Sequence, residues 1–444
     1  MIHAGLSHFR GKRILLLQGP LGPFFHRLKQ DLVRAGAQVF KINFNGGDWL
    51  FYRSDAINYQ DGIDLWPQFF EEVLRVHHID TVVMFGDCRT YHIAAHDVAR
   101  RLGVDVSVFE EGYIRPDYIT LERDGVNGYS ALPANPIFYL NSVPEKTVRT
   151  DAVGNTFWHA AMWACLYYLA ATILRPLFPL YRHHRRLSVL EALPWLRSLL
   201  RKGVYTVRER GMEARLTGAM SKKYYLVPLQ VHNDAQIRVH SAFASVEEFI
   251  RCVVASFAQH APADASLVIK HHPMDRGYSD YRRLLKQLAE TFGLGTRLIY
   301  VHDLHLPSLL QHARGVVVVN STVGLSALLH GAPLKVCGDA IYDFKGLAYQ
   351  GSLDRFWNDA QSETVDMQLL KNFRNYLIDR TQLNGSFYKR LPIPGSYTGI
   401  RWEEWWTAGD ADQYKPSRTG RRDAAGVHAV HRQAAEKKGE QARR

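Results

Sequence analysis

The residues with the most chemical content close an apolar run: Leu267-Val268-Ile269 leads straight into Lys270-His271-His272-Pro273. Pro273 cannot donate to a sheet ladder, so the strand must stop and the chain must turn at His272. A cation and an imidazole at the carboxyl end of a buried strand, ahead of a helix predicted over Tyr278–Phe292, suit a phosphate. A solvated His272 that merely ends the strand is the plainer alternative. A second stretch, Asn320-Ser321-Thr322, closes another apolar run; Ser321 or Thr322 caps the helix that follows, and Gly331 stops it. The free N–H groups and hydroxyls at that helix start again suit a phosphate, although such caps are ordinary in structural helices. A third stretch runs from Gln230 through His232, Asp234 and Gln236 to Arg238, bringing one carboxylate and two amides to the end of a strand. A lone loop Asp is more often a turn former. The fourth, Glu110-Glu111-Gly112-Tyr113-Ile114-Arg115-Pro116, places two carboxylates and an arginine beyond another strand.

These stretches need a scaffold that gathers strand ends, and the hydrophobic pattern supplies one. Strands are predicted at Arg13–Leu17, Gln38–Phe44, Thr81–Phe85 and Asp105–Phe109, alternating with helices at Phe24–Ala35, Trp66–Val76 and His92–Leu102. This βαβ opening lacks the G-x-G-x-x-G fingerprint, which argues against a dinucleotide site. A second alternating half begins at Tyr224, with strands at Tyr224–Leu229, Leu267–Lys270, Leu298–Val301, Val316–Val319 and Leu334–Cys337. The expected fold is α/β and GT-B-like: two Rossmann-like doubly wound domains, an interdomain cleft and a C-terminal helical segment. The expected divisions are an N-terminal Rossmann-like domain over 1–150, apolar and basic helices with a linker over 151–220, a C-terminal Rossmann-like domain over 221–345, closing helices over 346–409 and a disordered basic tail over 410–444.

With 444 residues, 46% hydrophobic and 22% charged, the chain is a globular protein long enough for two domains. Its formal charge of +12 is unevenly spread, since Gln413–Arg444 alone holds nine Lys/Arg against three Asp/Glu. The cationic residues are not interleaved with aromatics, so a nucleic-acid groove is not expected. Cys88, Cys165, Cys252 and Cys337 lie far apart without C-x-x-C spacing, which fits a reducing compartment and gives no zinc pattern. Met1–Lys12 has no apolar signal core, implying a cytoplasmic protein. Asp410-Ala411-Asp412 has the form of a D-x-D metal motif but sits in the tail, so no metal site is expected. From Phe157 to Leu174 the chain is apolar and rich in Trp, Tyr and Ala, and Arg175–Arg215 then carries ten Lys/Arg against three Asp/Glu. That pairing reads as an in-plane anchor over anionic lipid, with a buried interdomain helix as the alternative.

Taken together, the blocks Glu110–Pro116, Gln230–Gln236, Lys270–Pro273 and Asn320–Gly331 resemble those of the capsular polysaccharide synthesis/export proteins of Gram-negative bacteria, in particular the single-module β-Kdo transferases that begin the capsule glycolipid. The resemblance implies a metal-independent, retaining glycosyltransferase without a cofactor. It would use CMP-Kdo as donor and a phosphatidylglycerol-type lipid as acceptor, peripherally on the cytoplasmic face of the inner membrane. On that basis Asp234 is the expected nucleophile and Glu111 the acid/base, with Glu110 close behind. Gln230, Gln236, Lys270, His272, Pro273, Asn320, Ser321 and Thr322 are the expected donor-site residues. Arg115 or Arg238 is expected to offset the sugar carboxylate. A non-catalytic export adaptor working with other capsule proteins, or a nucleotide-sugar epimerase, are the alternatives.

Overall fold

The computed structural model describes residues 5–141, 150–181 and 192–402. The apolar strands form two sheets. In the first, β1 (Arg13–Leu16), β2 (Gln38–Asn43), β3 (Ile57–Asn58), β4 (Thr81–Phe85) and β5 (Asp105–Glu111) run parallel in the order β3-β2-β1-β4-β5. β6 (Tyr118–Arg123) turns back antiparallel to β5. In the second, β7 (Tyr224–Pro228), β8 (Ser266–Lys270), β9 (Leu298–Val301), β10 (Gly315–Val318) and β11 (Leu334–Val336) are all parallel in the order β11-β10-β7-β8-β9. The last strand, β12 (Gln382–Asn384), returns to the first sheet and pairs antiparallel with β6.

Both parallel orders are doubly wound. Each has a switch point, between β1 and β4 and between β7 and β10, where the chain departs to opposite sides and a crevice opens at the strands' carboxyl ends. The strands are apolar almost throughout because helices cover both faces. Alternation sends Leu15 and Val82 into a core with Trp66 and Phe70, and Ile14, Leu16 and Val83 into a core with Phe24 and Leu28. In the second sheet Leu226 and Val268 take one side and Tyr225, Val227 and Ile269 the other.

Two features depart from expectation. β5 continues past Phe109, because β6 pairs with it as far as Glu110↔Thr120 and Glu111↔Ile119. Gly112 makes the return possible: a β-carbon there would collide with the Tyr118 carbonyl. The closing segment is more than helices. Met367–Thr381 lends Leu370, Phe373 and Leu377 to the second domain's core, where Tyr139 from the first half joins them, and β12 to Ile400 then completes the first domain. Each half is thus finished by chain from the other. The basic tail, Asp410–Asp412, Trp405 and Trp406 lie outside the described residues.

The apolar helix spans Phe157–Ile173 and has two unlike faces. Ala164, Tyr167, Ala170 and Ala171 are buried against the first domain. Its neighbour there is the short helix Gly46–Phe51, which begins with two glycines. A β-carbon on Gly46 would collide with the Ala170 carbonyl, and one on Gly47 would fall 2.6 Å from the Tyr167 ring. The opposite face leaves Trp158, Met162, Leu166, Leu169 and Ile173 exposed. One face of the helix is thus packed on the first domain, not between two domains, and the other is exposed. Among the described residues no helix is long and apolar enough to cross a membrane. The next helix, Ala192–Arg208, docks on the second domain through Arg201, which donates to the carbonyls of Arg276 and Ser279. It exposes Leu193, Leu196, Leu200, Val204 and Val207 on its outer side.

Candidate active site

At the second switch point the loop after β7 meets the end of β10. Gln230 donates from Nε2 to Asp234 Oδ2 at 2.9 Å and to Asn320 Oδ1 at 3.1 Å. Asn320 Nδ2 in turn donates to the carbonyls of Gln236 (3.0 Å) and His240 (3.3 Å), stitching the two strand ends together. Asp234 is the N-cap of the short helix Ala235–Val239, accepting the Gln236 backbone N–H at 3.0 Å through Oδ1. The turn-former reading is therefore realised, and the same bonds orient the carboxylate. Among the described residues the buried side-chain Oε1 atoms of Gln230 and Gln236 have no hydrogen-bond partner, which leaves two acceptors at this crevice. Ser321 Oγ accepts the Val323 N–H at 3.2 Å, whereas Thr322 makes no side-chain cap bond to the helix Val323–Leu329. Gly324 lets that helix lie against Tyr342, whose ring a β-carbon would strike.

The end of β8 presents two different side chains. Lys270 is buried, and its Nζ donates to the His302 carbonyl at 3.0 Å. Burial lowers its pKa, against the opposing pull of Asp303 and Glu209. His271 points the other way, into the domain, with Nδ1 at 2.7 Å from Tyr300 Oη. His272 accepts the Met274 backbone N–H on Nδ1 at 3.2 Å, as N-cap of the turn Pro273–Asp275. Burial also lowers its pKa, so the neutral ring carries its proton on Nε2 and offers a donor there. The charges acting on His272 include Asp275, Lys270, Asp234 and, from the first domain, Arg115. Arg115 and Arg238 are both exposed; Arg115 Nε donates to the Gly112 carbonyl at 3.1 Å, and Arg238 lies at the end of the Asp234-capped helix.

Because β5 carries both carboxylates in strand geometry, Glu110 and Glu111 face opposite sides. Glu111 accepts from Tyr388 Oη at 2.7 Å, toward the segment after β12. Glu110 lies toward Gly86 and Arg89 at the first switch point; its Oε2 is 3.5 Å from where a Gly86 β-carbon would stand. Burial pushes its pKa up to about 7, with the adjacent Glu111 and Asp87 adding to the shift.

A cluster that the sequence reading missed joins the two domains. His240, from the second, places Nε2 3.5 Å from Cys88 Sγ of the first, and its ring meets Tyr129 edge-on at 4.4 Å. Cys88 donates to Asp87 Oδ1 at 3.2 Å, and Asp87 Oδ2 accepts the Val126 N–H at 2.9 Å. Asp87, Cys88 and His240 each offer a ligand atom, all within 4.8 Å of one another, a set that could hold a metal ion. Their separation in sequence, with no local spacing pattern, concealed them. Burial and the adjacent Asp87 hold the Cys88 thiol well above its usual pKa, with Glu110 and Asp234 adding to the shift. The two carboxylates thus lie on opposite sides of one interdomain contact.

Residues 80–388 match the family described as Capsule polysaccharide biosynthesis protein. The chain belongs to this family. All four sequence blocks lie inside the matched region of this capsule polysaccharide biosynthesis protein. It is 44% identical to the Capsule polysaccharide export protein KpsS of Escherichia coli, over 85% of this chain and 97% of that one. It is 42% identical to the Capsule polysaccharide modification protein LipB of Neisseria meningitidis, over 87% of this chain and 94% of that one. Among solved structures, Thermosulfurimonas dismutans KpsC, described as a beta Kdo 2,7 transferase, covers 87% of the chain and 94% of its own length at 16% identity and a TM-score of 0.43. The UDP-GlcNAc 2-epimerase of Neisseria meningitidis covers 83% of the chain at 12% identity and a TM-score of 0.28.

Proposed function

We propose that this capsule biosynthesis protein is a retaining glycosyltransferase that moves Kdo from CMP-Kdo to a phosphatidylglycerol-type lipid, without a metal or cofactor, on the cytoplasmic face of the inner membrane. The observation that carries the reading is the pairing of Asp234, fixed at the second switch point by Gln230 and the Gln236 N–H, with the raised-pKa Glu110 across the Cys88–His240 contact. In the first step an Asp234 oxygen attacks the anomeric carbon and the bond to the CMP phosphate breaks, its electron pair leaving with CMP. His272 Nε2–H, Lys270 and the Ser321 turn offset the charge that develops on that phosphate. In the second step Glu110 takes the acceptor hydroxyl proton, the acceptor oxygen attacks the same carbon, and Asp234 is released. Glu110 replaces Glu111 as the acid/base in this scheme, because Glu111 is engaged by Tyr388 on the other face of β5. Arg115, which acts on His272 across the cleft, is favoured over Arg238 for the sugar carboxylate.

The outward apolar face of Phe157–Ile173 and the exposed leucines of Ala192–Arg208 support a lipid acceptor and peripheral attachment. Incubating the purified protein with CMP-Kdo and a phosphatidylglycerol analogue tests the reading: a glycosylated lipid of the expected mass is the predicted product. The name of the E. coli relative favours a second reading, a non-catalytic export adaptor. An adaptor would support capsule formation in cells after Asp234→Ala, whereas the transferase would not.

A further inference from the structure

The first domain has a switch point of its own, and a half-buried cation stands there that the scheme above does not use. Arg89 follows β4 and starts the helix Thr90–Arg101, whose first turn has no side-chain cap. Its Nη1 donates to Gln18 Oε1 at 2.9 Å, and its guanidinium lies 5.1 Å from the Phe85 ring centre. Among the described residues no carboxylate stands within ion-pair distance of it. A half-buried guanidinium held, among the described residues, by an amide and a ring keeps donors for an anion. The uncapped helix start adds positive potential at the same place.

Two neighbours say which anion. On one side is Glu110: its Oε2 and the Arg89 Nε lie 3.5 Å and 3.9 Å from the same point, the position a Gly86 β-carbon would take. On the other side is the apolar helix. Gln18 Nε2, besides its 3.3 Å contact to Asp48, donates to Tyr167 Oη at 3.0 Å and to Tyr181 Oη at 2.9 Å. Tyr167 belongs to the buried face of Phe157–Ile173, the helix whose opposite face exposes Trp158, Leu166 and Leu169. Arg89 therefore stands beside the proposed proton acceptor and, through Gln18, next to the inner face of the apolar helix. An acceptor hydroxyl that reaches Glu110 brings its linking group close to Arg89, since both side chains stand beside the Gly86 position.

We propose that Arg89 binds the phosphodiester of the acceptor and so selects an anionic glycerophospholipid. The inference rests on the transferase reading above. It is tested by comparing wild-type protein with Arg89→Gln and Arg89→Lys, using CMP-Kdo and two acceptors, phosphatidylglycerol and a dialkylglycerol without phosphate, in the same neutral micelles. Loss of a charge-assisted contact predicts that the ratio of kcat/KM for the phosphorylated over the phosphate-free acceptor falls about 10- to 100-fold in Arg89→Gln, with partial recovery in Arg89→Lys. CMP affinity and Tm are expected to stay unchanged. Binding of soluble glycerophosphoglycerol, measured by calorimetry beside inorganic phosphate, separates a head-group site from a free-phosphate site and needs no turnover. Binding of the head group lost in Arg89→Gln supports the assignment; equal binding of inorganic phosphate alone assigns Arg89 to free phosphate and overturns it. An unchanged acceptor ratio with active wild-type protein also overturns it, as does loss of CMP affinity, which would move Arg89 to the donor side. Wild-type protein that transfers to neither acceptor would instead overturn the transferase reading itself.

Discussion

At the scale of single residues the geometry separates groups that look equivalent in the sequence. Glu110 and Glu111 are adjacent, yet strand alternation gives them different surroundings, and burial pushes Glu110 up to about 7. In the proposed scheme Glu110 is the base of the second step and must be ionised, so kcat is expected to fall as pH drops through about 7. That limb should persist in Glu111→Gln. Glu110→Gln should slow resolution of the glycosyl-enzyme and let a Kdo-sized increment accumulate on the protein, visible by intact mass. Asp234→Ala should bind CMP-Kdo and give neither product nor adduct. Loss of activity in both variants with an adduct in neither would retain the enzyme and reject the double displacement. His272→Ala removes the Nε2 donor, and transfer is expected to fall by roughly two to three orders of magnitude with weaker CMP binding. Full activity in that variant would remove His272 from the donor site.

At the scale of elements the decisive piece is the helix Phe157–Ile173. Its inner face is committed to the first domain: Trp163 Nε1 donates to the Tyr388 carbonyl at 3.0 Å, and its ring packs where a Gly22 side chain would otherwise point. Its outer face is free, with Trp158 at 77% exposure. Asp at Trp158 and Leu166 should therefore cut binding to anionic vesicles while Tm stays within a degree or two. Asp at Trp163 should instead lower Tm, because it places a charge in a packed, half-buried site. Gly46→Ala should also destabilise, by about 1–3 kcal/mol, since the helix must shift to admit the methyl group. Equal vesicle binding by the Trp158/Leu166 double variant would leave the helix no role at the membrane.

At the scale of the whole molecule, buried titrating groups set how stability depends on pH. His92 and His271 are held neutral, mainly by burial, with pKa values lowered to about 3 and about 4. In the unfolded chain both take up protons below the model-peptide value of about 6.5. There the unfolded state binds more protons than the folded one, so stability rises with pH and is lost as pH falls from 6.5 toward 4. Glu110 and Glu122, raised to about 7, act in the opposite sense, since the folded state keeps protons that the unfolded chain loses above about 4.5. Replacing His92 by Gln should flatten the acid side of a Tm profile between pH 6.5 and 4.5; an unchanged slope would show that other groups dominate. The contact of Asp87 and Cys88 with His240 bears on the metal question. Transfer is expected to survive exhaustive chelation, and activity lost to a chelator and restored by a divalent ion would place that ion in this cluster.

Much of this was legible without coordinates, for physical reasons. Strands covered on both faces must be apolar throughout, and their alternation with amphipathic helices already specified two doubly wound halves. Pro273 and Gly331 stop their elements through local backbone chemistry, so the strand end just before His272 and the helix end just before Gly331 could be read from the residues alone. What the sequence left open depends on partners distant along the chain. The antiparallel strand β6 draws Glu110 and Glu111 into the sheet and so decides which of them turns toward Arg89. Residues 382–384 return to the first sheet only because β6 offers them an unpaired edge. The apposition of His240 with Cys88 is likewise a property of two domains meeting, since 152 positions of chain separate the pair and no local spacing records it.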